Sequence, residues 1–108
     1  MSTEMTLVHH LQAISQGVEA IMSDYTEDSV LFTPNGPLRG LDAVRDFFDS
    51  FIRNSPAGLL EALRVERQDI DGEVAYIIWK AEPYIKMATD TFVIRNGKIK
   101  AQTFAMLS

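Results

Sequence analysis

Apolar residues Leu7, Leu11 and Ile14 recur at helical spacing between Thr3 and Gln16, with Met5, Val8 and Ala13 beside them. That spacing predicts an amphipathic helix. Gly17 ends it, and Val18 to Tyr25 reads as a second, shorter helix. Ser29 to Thr33 is a short β-rich run closed by Pro34-Asn35-Gly36-Pro37, where proline fixes φ and Asn-Gly accepts positive φ. A third helix starts after Gly40. Asp42 suits its N-terminus, and Val44, Phe47, Phe48, Phe51 and Ile52 form a wide apolar stripe. Asn54 to Gly58 then breaks the helix.

Beyond that break the apolar period shortens. Leu59–Ile70, Glu73–Ala81, Lys86–Arg95 and Lys98–Leu107 read as strands, joined by the turn signals Asp71-Gly72, Glu82-Pro83 and Asn96-Gly97. Hairpin connections in series make an antiparallel meander. Helices first and a meander after them is an α+β layout with the helices on one sheet face. No internal repeat or linker divides the 108 residues, so one domain spans 1–108.

Composition removes several function classes. The net charge of −5 is spread along the chain with no basic stripe, which argues against a nucleic-acid partner. The absence of cysteine excludes disulfides, thiolate nucleophiles and zinc–thiolate sites. Residues 1–10 lack the basic-then-apolar pattern of a signal peptide, and no apolar run reaches the ~20 residues of a membrane span. The expectation is a soluble cytoplasmic protein with no membrane partner. The adjacent His9 and His10 cannot share one metal in i, i+4 geometry and no carboxylate completes a site, so no metal is expected. The turn glycines lack phosphate-loop spacing, and no Gly-x-Ser-x-Gly elbow supports a nucleophilic hydrolase.

The segment Tyr25-Thr-Glu-Asp-Ser-Val-Leu-Phe-Thr-Pro-Asn-Gly-Pro-Leu-Arg-Gly40 resembles the nuclear transport factor 2-like superfamily, within it the SnoaL-like and ketosteroid-isomerase-like proteins. Thr89 to Phe104 is similar to the last hairpin of SnoaL-like members. The resemblance implies three N-terminal helices on a strongly curved, mixed but mostly antiparallel sheet that encloses a cone-shaped cavity. It also implies a homodimer through the outer sheet face. It leaves the activity open, because isomerases, cyclases, dehydratases, hydrolases and non-catalytic binding domains share the fold.

Carried over residue by residue, the isomerase resemblance puts a general base at Thr33, a tyrosine donor at about His10 and a protonated aspartate at Asp90. A threonine hydroxyl cannot take a proton from carbon near neutral pH, so steroid isomerisation by that mechanism is excluded. Asp90 remains. Strand alternation puts it on one face with Ala88, Phe92 and Ile94, where burial would raise its pKa and suit it to acid–base work. The plainer alternative is an aspartate in solvent, bonded to a neighbouring threonine. His10 shares the inward face of its helix with Leu7 and Ile14 and could trade protons near neutrality, or simply be a hydrogen-bonded core histidine. A turn at Glu82-Pro83 would set Trp79 opposite Lys86 and Ala75 opposite Asp90, with Trp79 on the Asp90 face and Tyr76 outside.

Two functional expectations follow. One is a cofactor-independent acid–base enzyme acting on a small apolar cyclic or carbonyl compound, with Asp90 and His10 as catalytic residues. Tyr25, Thr33 and Gln102 would orient the ligand, and Phe48, Trp79, Phe92, Phe104 and Met106 would wall it. The other is a non-catalytic ligand-binding or dimerising module. Small residues Ala101, Thr103 and Ala105 on one face of the last strand suit dimer packing. Arg39 could hold a ligand carboxylate or pair with a nearby acid.

Overall fold

The computed structural model describes all 108 residues. Helix α1 (Thr3–Ala13) starts at Ser2, whose Oγ accepts the Met5 N–H at 3.1 Å. Helix α2 (Val18–Met22), strand β1 (Tyr25–Thr33), strand β2 (Gly36–Arg39) and helix α3 (Gly40–Asn54) follow. A one-turn helix α4 (Leu59–Ala62) leads into β3 (Arg64–Asp71), β4 (Val74–Ala81), β5 (Ile85–Arg95) and β6 (Lys98–Leu107).

The six strands form one sheet in the order β2-β1-β6-β5-β4-β3. Only the β1–β6 pairing is parallel; the chain crosses over to make it, while β3 to β6 run as the expected meander. Every pairing except β1–β2 carries a register shift. Such bulges bend a strand and increase its twist, and here they curl the sheet around the helices. The concave face supplies Ala75, Ile77, Trp79 and Ala81 from β4 and Ala88, Phe92 and Ile94 from β5, all buried. Leu7 from α1 and Val44 and Phe48 from α3 close over them as one core.

Four expectations are corrected. Tyr25 opens β1 instead of ending α2, because Asp24 and Ile99 already join the sheet through a 2.7 Å backbone hydrogen bond. Gly36 to Arg39 is a strand, not the rest of a turn. Pro37 is tolerated because β2 lies at the sheet edge, where one strand side needs no donor. Leu59 to Ala62 is helical, set up by Gly58 in the left-handed region at φ 90° and by burial of Leu59. Finally, Trp79 pairs with Ala88 and Asp90 with Ile77. The connection and a bulge between Trp79 and Ala81 move the register by two residues, which keeps every side chain on its expected face.

Candidate functional site

Asp90 sits at the middle of β5, opposite Ile77 on β4 and Phe104 on β6, and is 6% exposed. No cation reaches it. Its Oδ1 accepts the Trp79 indole N–H at 2.7 Å, and its Oδ2 accepts the Gln102 amide N–H at 2.8 Å. The Gln102 oxygen in turn accepts the Tyr25 hydroxyl, so one polar chain runs Tyr25, Gln102, Asp90, Trp79 through the apolar interior. Burial raises the Asp90 pKa to about 6, against the pull of the two donors, which favour the carboxylate. Burial among the same groups raises the Tyr25 hydroxyl well above its usual range, keeping it a proton donor.

His10 faces this network from α1. Its ring centroid lies 5.3 Å from Phe92 and 6.0 Å from both Tyr25 and Phe48, each edge-on. Its Nδ1 is buried without a hydrogen-bond partner. Burial, helped by His9, lowers its pKa to about 4. It is therefore a neutral imidazole at physiological pH, and the expected proton trading near neutrality does not fit it. His9 points aside, half-exposed, with Nδ1 2.8 Å from the buried Asp24 carboxylate.

These side chains border a cavity of about 50 Å³ lined by His10, Leu11, Ile14, Phe48, Leu63, Ile77, Trp79, Asp90, Phe92 and Gln102, with Phe47, Phe51 and Phe104 at its outer end. Asp90, His10, Phe48, Trp79, Phe92, Gln102 and Phe104 thus meet in one place. Tyr25 stands behind Gln102 without lining the cavity. Thr33 and Met106 lie elsewhere, in an outer groove of about 880 Å³ between α3 and the open end of the sheet. The Thr33 hydroxyl donates to Gly36 O and accepts the Asn35 N–H, so it serves the β1–β2 turn. Arg39 is exposed and lines neither space. The sequence reading did not assign Leu11, Ile14, Leu63 or Ile77 to the site, although Leu11 and Ile14 were legible as the inward face of α1. Ile77 was legible as the strand neighbour of Trp79 on the same face, whereas Leu63 follows a helical turn whose sequence carries no period.

A curled sheet closed by helices around an apolar chamber with one buried acid defines a small α+β cone. The chain belongs to the SnoaL-like domain family, whose model matches residues 8–102. Among solved structures it is similar to a protein from Kribbella flavida DSM 17836, at 20% identity and TM-score 0.81 over 94% of this chain and 84% of that one. A SnoaL-like protein of unknown function from Burkholderia thailandensis E264 matches at 14% identity and TM-score 0.75, over 98% and 95%. TerC, crystallised with polyporic acid, matches at 12% identity and TM-score 0.72, over 97% and 91%. At these identities the likeness is one of fold. Among curated proteins none matches the sequence. No helix is long and apolar enough to cross a membrane.

Proposed function

We propose that the chain binds a small, largely apolar molecule with its reacting group beside Asp90 and that Asp90 exchanges a proton with it, without a cofactor. One observation carries the reading: a carboxylate buried at the end of an apolar cavity, held by two N–H donors and no cation, with a pKa of about 6. A structural carboxylate in a core is ordinarily neutralised by a cation. One poised near neutrality instead suits a general base, since transfer is most efficient when the pKa approaches the working pH. The acceptable reaction is proton removal from a hydroxyl or from carbon beside a carbonyl. His10 serves as a neutral hydrogen-bonding group opposite the base, and Gln102 and Tyr25 hold Asp90 in place. TerC's co-crystallisation with polyporic acid gives a related fold with a small organic ligand.

The test is proton–deuterium exchange, followed by NMR, on a panel of enolisable cyclic ketones in D₂O. Exchange accelerated by the wild type and lost in Asp90→Asn supports the reading. Equal exchange with both proteins contradicts it.

A second reading has its own observation. The chamber, at about 50 Å³, is far below the ~300 Å³ of ordinary ligand pockets, and Phe48 and Phe104 are among the side chains that close it in. That favours a packed, dimerising module. The outer sheet face supports self-association as well: Phe32, Tyr76, Ile78, Thr89, Thr91 and Thr103 form a β-branched and aromatic patch across the sheet, with the paired Arg67 and Asp69 of β3 and Lys80 of β4 at its rim. In the proposed assembly two copies pack through this face, leaving both chambers pointing outward.

A further inference from the structure

The chamber beside Asp90 is too small for the molecule the proposed function requires. At about 50 Å³ it has room for only a few waters, taking ~15 Å³ for each. The outer groove, at about 880 Å³, is of ligand size. The two spaces share three lining residues, Phe47, Phe51 and Phe104, and no others. Phe104 lies against Trp79 on the inside, at 6.3 Å and nearly parallel, and edge-on against Phe47 at 5.8 Å. All three phenylalanines are only partly buried, and Phe104 stands on the strand position facing Asp90. They form the wall that both spaces share, and rotation of their side chains is the smallest motion that would join the two.

The polar lining sorts the possible occupants. The groove offers Thr33, Asn35, Ser50, Asn54, Ser55 and Tyr84 as neutral hydrogen-bonding groups, with Asp46 as its one charged residue. The chamber offers Asp90, Gln102, neutral His10 with its unpartnered Nδ1, and the Trp79 N–H already committed to Asp90. Neither space is lined by lysine or arginine. A carboxylate, sulfonate or phosphate placed here would meet two carboxylates and no cation, at a desolvation penalty with nothing to offset it.

Resting on the reading of Asp90 above, we propose that chamber and groove are two halves of one site divided by the Phe47–Phe51–Phe104 partition. Its ligand is an elongated amphipathic molecule without negative charge, whose hydroxyl or amine end reaches Asp90 while its apolar body lies along α3 in the groove.

A matched dye pair tests this: neutral N-phenyl-1-naphthylamine and its sulfonated analogue 1-anilinonaphthalene-8-sulfonate, which differ by one anionic group. Fluorescence titration of the wild type is expected to give at least tenfold tighter binding of the neutral dye. Equal or tighter binding of the sulfonate overturns the charge selection. Ser50→Trp, an exposed position on the groove wall, and Asp90→Asn are each expected to weaken the neutral dye at least tenfold, in proteins shown to be folded by circular dichroism. Loss in Ser50→Trp alone leaves a groove that binds without Asp90 and overturns both the two-part site and the reading of Asp90. Loss in Asp90→Asn alone preserves that reading and overturns the groove's part in it. Phe104→Ala should raise the stopped-flow association rate of the dye about tenfold; an unchanged rate contradicts the partition.

Discussion

Replacing Asp90 by asparagine should change the pH dependence of stability more than stability itself. The substitution keeps the side-chain volume. Gln102 can turn its amide so that oxygen faces the new amide and nitrogen faces the Tyr25 hydroxyl, which then accepts, so the polar chain survives. What disappears is the titration. In the native chain burial holds the carboxyl at about 6, against 3.8 for a free aspartate. Between those values the native chain keeps a proton that the unfolded chain has released. The stabilisation is therefore fully present below about pH 4 and is lost as pH rises through about 6, amounting to about 3 kcal/mol.

His10 works in the opposite sense. Its native value is about 4 against 6.5, so its contribution is present above about pH 6.5 and is lost as pH falls through about 4. Through the overlap the two contributions nearly cancel, and the wild type hides both. Urea denaturation at a series of pH values between about 4 and 7.5, for wild type and Asp90→Asn, separates them. The variant should gain on the wild type by about 3 kcal/mol across that range. Parallel curves, with a difference constant to within about 0.5 kcal/mol, would refute the claim that Asp90 is desolvated and unpaired.

Three further outcomes follow from the same geometry. His10→Phe should gain stability relative to wild type as pH falls from about 6.5 to 4, by about 3 kcal/mol, and the same urea series reads it. Trp79→Phe removes a donor that holds the Asp90 value down, so the carboxyl should titrate above about 6 in an NMR pH series; a lower midpoint contradicts the hydrogen bond's role. Thr103→Arg, in the middle of the outer sheet face, should turn a dimer into a monomer in sedimentation without changing the circular dichroism spectrum, and a sedimentation profile unaltered by the new charge counts against self-association through that face.

The sequence displayed its meander clearly, because Asp71-Gly72 and Asn96-Gly97 are turn pairs whose residues Gly72, Asn96 and Gly97 do adopt positive φ. It concealed β2 because an edge strand can carry the proline that forbids a central one, and it concealed α4 because one helical turn is shorter than any period. The faces of Asp90 and Trp79 were legible from alternation alone. Their partners were not. Alternation says which side of the sheet a residue occupies, while the contact between Trp79 and Asp90 depends on a bulge that no local residue pattern announces. Gln102 was legible as an inward polar residue, but its bond to Asp90 follows from a β5–β6 register shifted between Val93 and Ile94. The placement of Thr33 and Met106 failed for a related reason. Both point toward the open end of the cone, and only the aromatic partition decides that this end is a separate space.

The central claim is that Asp90 is a ligand-facing group poised to exchange a proton, and its carboxyl ¹³C resonance tests that most directly. Titrated in the free protein, the resonance should move with a midpoint near 6, and saturating N-phenyl-1-naphthylamine should displace that midpoint by at least about half a pH unit. A midpoint at the ordinary aspartate value, or one near 6 that saturating dye leaves untouched, would contradict the account.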